Sequence, residues 1–182
     1  MTEFERSQIV EEMLSFHFPR YEELPRLDLY MDQVLSVVCE TLSVFYVNKN
    51  EKILTASMVN NYVKQKVLPP PKAKRYNTSQ LAYLLALTVL KQVLSIGEIS
   101  QLIQYQSDHF PLKETYNRFC DEMEAAIQTV FRKEAYAGVE EDGVFASSQG
   151  AELLRAAVLS FINKIYVQKC LQFETQELKK EE

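Results

Sequence analysis

Residues 52–103 read KILTASMVNNYVKQKVLPPPKAKRYNTSQLAYLLALTVLKQVLSIGEISQLI, and the faces this stretch presents decide the fold. Its first helical run, residues 55–66, divides cleanly at 100° per residue. Met58, Val59, Tyr62 and Val63 share one side, while Ser57, Asn60, Asn61, Lys64 and Gln65 share the other. Thr55 is placed to cap the start, because its hydroxyl can accept from a free first-turn N–H. Val67 and Leu68 return the chain to the core, and Pro69, Pro70 and Pro71 forbid further helix. A short basic loop or minimal hairpin, Lys72 to Tyr76, follows. Asn77 then opens a helix whose run from Leu81 to Leu90 is apolar on nearly every face, the pattern of a helix buried all round. Ser95 and Glu98 form a capping box for a further helix from Ile96 to about Gln106.

Charge singles out the same region. Residues 48–96 hold eight cations (Lys49, Lys52, Lys64, Lys66, Lys72, Lys74, Arg75, Lys91) and one anion, Glu51. The segment is therefore +7 in a chain of net charge −5, and the remainder carries −12. A basic island on an acidic protein suits a polyanion, of which nucleic acid is the commonest.

Outside this region the pattern is helical throughout. The chain has 182 residues, 47% of them apolar, with four glycines and six prolines, enough for a sizeable core in one or two domains. Phe4 to Phe16 reads as a short amphipathic helix, followed by an irregular connector, residues 18–25, that packs on the body. Asp28 is an N-cap candidate for a helix from Leu29 to about Val47, with Tyr30, Val34, Val37, Val38, Leu42 and Phe45 inward, and residues 48–52 form a polar turn. Asp108 to Pro111 breaks the pattern again. A long helix striped by Leu112, Tyr116, Phe119, Cys120, Met123, Ile127, Val130 and Phe131 ends before Gly138. A loop from Gly138 to Ser148 leads to a last helix, about Gln149 to Phe173, striped by Leu154, Val158, Phe161, Ile162 and Ile165, with a frayed tail from Glu174. The expected organisation is an N-terminal helical segment over residues 1–47, a helix-turn-helix unit over 48–107, and a C-terminal helical hairpin over 108–182 for dimerisation or sensing.

Residues 55–103 resemble the DNA-binding domain of the MerR (mercury-resistance regulator) family. That family shows a Ser/Thr-capped helix, an aromatic before a leucine-proline exit, a wing ending in tyrosine, and a small-apolar-Ser-apolar-x-Glu-Ile join between two helices. The corresponding residues are Thr55, Tyr62, Val67-Leu68-Pro69-Pro70, Tyr76 and Leu94-Ser95-Ile96-Gly97-Glu98-Ile99. Asn60 stands where that family has arginine, Lys66 where it has glycine at the turn, and the wing is shorter. A longer match, from FPRYEELP through SMVNNYVKQKVLPPP to LKQVLSIGEI, is similar to an uncharacterised bacterial domain-of-unknown-function family with helix-turn-helix likeness. The resemblance implies an all-α fold: a MerR-like winged helix-turn-helix core with a minimal wing, flanked by N-terminal and C-terminal helices.

These readings converge on a sequence-specific double-stranded DNA-binding protein, a transcriptional regulator that inserts helix 55–66 into the major groove. Short hydrogen-bonding side chains suit base edges, and asparagine can pair N6 and N7 of adenine, so Ser57, Asn60 and Asn61 are the candidate readers. Lys64, Lys72, Lys74 and Arg75 suit phosphates, with Thr55 as the cap. Tyr62 and Tyr76 each fit either a phosphate contact or packing beneath the surface. The alternative is a protein–protein adaptor whose basic island meets an acidic partner. A homodimer through the C-terminal helices is expected, because Phe161, Ile162 and Ile165 extend an apolar stripe; those helices could equally pack on their own N-terminal half. No enzyme, cofactor or metal is expected. There is no Gly-rich phosphate loop, His17 and His109 lack a neighbouring nucleophile, and Cys39, Cys120 and Cys170 have no ligand spacing. An acidic N-terminus and the lack of an 18-residue apolar run point to a cytoplasmic protein without a membrane span; any small-molecule effector is unidentified.

Overall fold

Leu81 to Leu90 is apolar on nearly every face because most of it is buried; within the run Tyr83 and Ala86 alone are partly exposed. In the computed structural model, which describes residues 2–47, 52–107, 110–135 and 149–181, this run forms most of helix α4 (Thr78–Leu90). The preceding helices are α1 (Gln8–Leu14), α2 (Met31–Leu42) and α3 (Ala56–Lys64); α5 (Ile96–Ser107), α6 (Leu112–Arg132) and α7 (Gln149–Glu181) follow. Two strands, β1 (Leu29–Tyr30) and β2 (Arg75–Tyr76), pair antiparallel. The fold is thus predominantly α with one two-stranded sheet among the described residues. Helix α4 packs against α2, α6 and α7, and α6 and α7 lie against each other. Leu84, Leu85 and Leu87 are fully buried, and Leu81 and Leu90 nearly so. Thr88, also fully buried, donates to the Leu84 carbonyl at 2.6 Å, so it leaves no unmet polar group. One cluster of buried side chains draws on all three segments expected from the sequence.

The caps form where the sequence places them. The Thr55 hydroxyl accepts from the Met58 amide at 3.2 Å. Asn77 and Gln80 satisfy each other's backbone amides at 2.9 Å in both directions. The Ser95 amide donates to the Glu98 carboxylate at 2.7 Å, and the Glu98 amide to the Ser95 hydroxyl at 3.3 Å.

Four boundaries differ from expectation. Asp28 does not start α2; Leu29 and Tyr30 pair instead with Tyr76 and Arg75, and helix begins at Met31 with the Tyr30 amide bonded to Gln33 at 2.9 Å. The inward place expected for Tyr30 is therefore wrong: it is 47% exposed. Helix α2 closes at Leu42 into a tight turn over Ser43–Phe45 rather than reaching Val47. The N-terminal helix is broken at Ser7, whose hydroxyl donates to the Phe4 carbonyl at 2.6 Å, leaving a short turn Phe4–Arg6 before α1. The tail expected to fray from Glu174 continues α7 to Glu181. Residues 48–51 of the expected polar turn (48–52), residues 108–109 of the expected break (108–111) and the loop at 138–148 fall outside the described residues.

The connector after α1 is clamped to α6. Arg20 bonds Asp121 at 2.7 Å and both oxygens of Glu124 at 2.8 and 2.9 Å, and the Phe18 amide donates to Glu124 at 2.8 Å. Burial pushes the Glu124 carboxyl up, but the Arg20 guanidinium and the Phe18 amide outweigh it and hold it below its ordinary value. Asp121 is raised, burial outweighing the same arginine.

Two predictions follow from this frame. Leu84→Ala should cost about 3 kcal/mol in denaturant unfolding, since it leaves a cavity at a fully buried position of α4. A Glu whose folded pKa is depressed stabilises fully above its unfolded value of about 4.3, and loses that contribution as pH falls through the folded pKa. Stability should therefore fall on acidification below about pH 4, and the fall should be shallower in Glu124→Gln, as read from urea midpoints at successive pH values. Asp121 acts in the opposite sense and is common to both proteins.

Candidate nucleic-acid interface

Helix α3 is held by its apolar side. Val59 is fully buried and Tyr62 is 4% exposed. Lys91 of the turn after α4 reaches the Ile53 carbonyl at 3.4 Å and the Met58 sulfur at 3.3 Å, which ties this cation behind the helix rather than on its outer face. With the back fixed, Ser57, Asn60, Asn61 and Lys64 project outward and are all exposed. At 100° per residue these four fall within an arc of about 100°. Asn61 accepts from Gln65 at 3.2 Å, one turn on. Asn60 has no partner among the described residues, so of the two amides it is the one free to meet an incoming group.

The exit from α3 is a Schellman motif. The Val67 amide donates to the Tyr62 carbonyl at 3.0 Å and the Lys66 amide to the Val63 carbonyl at 3.0 Å. Lys66 adopts φ 59°, the left-handed conformation in which glycine is least strained, and it occupies the turn position where the MerR resemblance has glycine. The chain then runs through Pro69 and Pro70, whose carbonyls both accept from the Gln80 side-chain amide, at 2.9 and 3.0 Å. One buried glutamine of α4 thus fixes the segment that joins α3 to the hairpin.

The hairpin is minimal. Lys72 and Arg75 exchange both backbone hydrogen bonds, at 3.0 and 2.9 Å, around Ala73 and Lys74, which have φ 50° and 62°. Two consecutive left-handed residues define a type I′ turn, built here without glycine or asparagine. Arg75 and Tyr76 then pair with Tyr30 and Leu29, so the strand partner comes from before α2 and not from within the loop. Arg75 lies over the Tyr30 ring, 4.7 Å from its centroid, and donates to the Tyr30 hydroxyl at 2.7 Å. This pair orients the Arg75 guanidinium on the exposed side of the hairpin. Tyr30 is the member of the site that sequence reasoning missed, because it was read as part of an inward helix stripe.

The ten expected site residues therefore separate into two groups. Ser57, Asn60, Asn61, Lys64, Lys72, Lys74 and Arg75 are exposed, and Thr55 is half-buried at the cap. Tyr62 and Tyr76 are 4% and 3% exposed and belong to the core beneath the face; of the two readings open for each, packing is the one realised. Burial raises both phenols above their ordinary pKa, which keeps them protonated at neutral pH. No acidic residue occurs from Lys52 to Gly97, so nothing in this segment offsets its cations. Among the described residues no cluster of His, Cys, Asp or Glu could hold a metal ion, and no helix is long and apolar enough to cross a membrane.

Residues 19–119 match the family described as a domain of unknown function, DUF1836. The match covers more than half of the chain, which belongs to this family. It takes in the clamped connector, the hairpin, α2 to α5 and the start of α6. Neither a curated protein nor a solved structure matches the chain.

Two substitutions probe how the face is held. Tyr30→Ala removes the ring and hydroxyl that seat Arg75, a loss of about 1 kcal/mol, so the Arg75 amide should exchange with deuterium about fivefold faster. Tyr30→Phe should show a smaller effect. Lys66→Gly should stabilise the protein by about 1 kcal/mol through relief of the left-handed backbone, seen as a higher urea midpoint.

Proposed function

We propose that this DUF1836 protein is a sequence-specific double-stranded DNA-binding protein, a transcriptional regulator that reads the major groove with α3 on a MerR-like winged helix-turn-helix. The observation that carries the reading is the outer face of α3, where Ser57, Asn60, Asn61 and Lys64 stand exposed on an apolar back. Base edges lie deep in the major groove, where short amide and hydroxyl side chains on a helix can reach them. Asn60, without a partner among the described residues, is the leading candidate for adenine recognition. We assign phosphate contacts to Lys72, Lys74 and Arg75, which are exposed on the hairpin that follows α3; such contacts set register without reading sequence.

Readers of this kind work as two-fold dimers on paired half-sites, and we place the self-association surface on α7. The residues expected to make it, Phe161, Ile162 and Ile165, are buried inside the monomer, at 1%, 0% and 4% exposure. Among the described residues of α7 the most exposed large apolar side chains are Val167, Leu171 and Leu178, each more than half exposed. Their spacing puts all three within about 40° on one side of the helix.

Salt-dependent duplex binding tests the reading. If Lys64, Lys72, Lys74 and Arg75 each meet a phosphate in a dimer, about eight contacts form, and log K against log salt should slope near −7. Changing Lys74 and Arg75 together to glutamine should flatten the slope by about 3–4. Asn60→Ala should lower discrimination between selected and random duplexes by about 1–3 kcal/mol without changing the slope. Failure to bind duplex DNA at low salt contradicts the reading and favours the adaptor, with an acidic protein on the same face.

A further inference from the structure

A cavity of about 310 Å3 opens between α4, α5 and α6. Helix α4 is otherwise filled by leucine, valine and threonine, but Ala82 and Ala86, four residues apart, leave room on this side. Leu102 of α5 and Phe119 of α6 close the far wall, and Tyr83 borders the opening left by the alanines. Among the described residues, no charged side chain lines the cavity. Protein interiors are close-packed, and an apolar void of roughly 150 Å3 is already enough to take up benzene. This one is about twice that size, within the range of small-molecule sites.

Its polar equipment is sparse. The Thr115 hydroxyl is already committed to the Pro111 carbonyl at 3.2 Å. The Tyr83 phenol, half-buried, has no hydrogen-bond partner among the described residues. Burial raises its pKa, so at neutral pH it is an uncharged group able to donate or accept one bond. Among the described residues an ionised ligand would meet no counter-charge here to offset the cost of leaving water. A neutral ligand with a flat apolar body and one hydroxyl or carbonyl would fill the space and satisfy Tyr83.

We propose that this cavity is a binding site for an uncharged aromatic small molecule bearing a single hydrogen-bonding group, with Tyr83 as its polar partner. The site lies on the helix whose other end holds the α3–hairpin segment through Gln80, yet the proposal does not depend on DNA binding.

Fluorescence titration of 2-naphthol into the full chain tests it without DNA. Saturable binding of one molecule per chain is expected, with Kd on the order of 10–100 μM. The anion 2-naphthoate, with the same ring system and a charged substituent, should bind at least about tenfold more weakly. Ala86→Phe, which fills the cavity, should abolish binding while the circular dichroism spectrum stays helical. Should that variant fail to fold, Tyr83→Phe conserves volume and should weaken binding about fivefold. Absence of saturable binding to the parent protein overturns the proposal, as does equal affinity for the alcohol and the anion. Unchanged binding in either folded variant also overturns it.

Discussion

Burial of α4 among its neighbours is the constraint on which the rest of the protein depends. A helix with so little polar surface can be stable only if neighbours cover most of it, and α2, α6 and α7 do so, leaving Tyr83 and Ala86 partly exposed. Its polar first turn then serves as a clip. Thr78 donates to the Pro25 carbonyl at 2.7 Å, Ser79 shares a 2.8 Å hydrogen bond with Tyr21, and Gln80 holds Pro69 and Pro70. Three adjacent residues thus fix the connector on one side and the approach to the hairpin on the other. The exposed face of α3 is positioned through this clip and through its own apolar back.

The basic edge concentrates backbone strain. Lys66, Ala73 and Lys74 all lie in the left-handed region, where a non-glycine residue costs about 1–2 kcal/mol. Glycine or asparagine would relieve that cost at each position. Two of the three carry a positive charge, and local strain of this kind is characteristic of sites where another demand outweighs stability. Under the proposed reading that demand is charge toward phosphate. The Tyr30–Arg75 pair acts in the same direction, because a stacked and hydrogen-bonded guanidinium gives up less freedom on meeting a ligand.

Much of this was legible in the sequence where the signal is local. Thr55, Asn77 and the Ser95/Glu98 pair mark helix starts because each capping bond spans three residues, and α4 declares itself by composition. The misreadings come from distant pairing. Leu29 and Tyr30 make a two-residue strand, too short to show alternation, whose partner lies more than 40 residues away. The same strand turns Tyr30 outward, so its role with Arg75 was hidden. The stripe of Phe161, Ile162 and Ile165 does face apolar surface, but periodicity cannot distinguish the chain's own core from a second subunit. The cavity beside Ala82 and Ala86 was also illegible, since two alanines in a buried helix signal close packing as readily as a void.

The central claim is that the α3 face and the hairpin together form a DNA surface. Mapping backbone amide shifts by nuclear magnetic resonance, as a short duplex is added at low salt, tests it most directly. Changes should cluster at residues 55–65 and 72–76 and fade as salt is raised, leaving α6 and α7 unmoved apart from self-association. An unperturbed α3, or changes confined to the C-terminal helices, would contradict it.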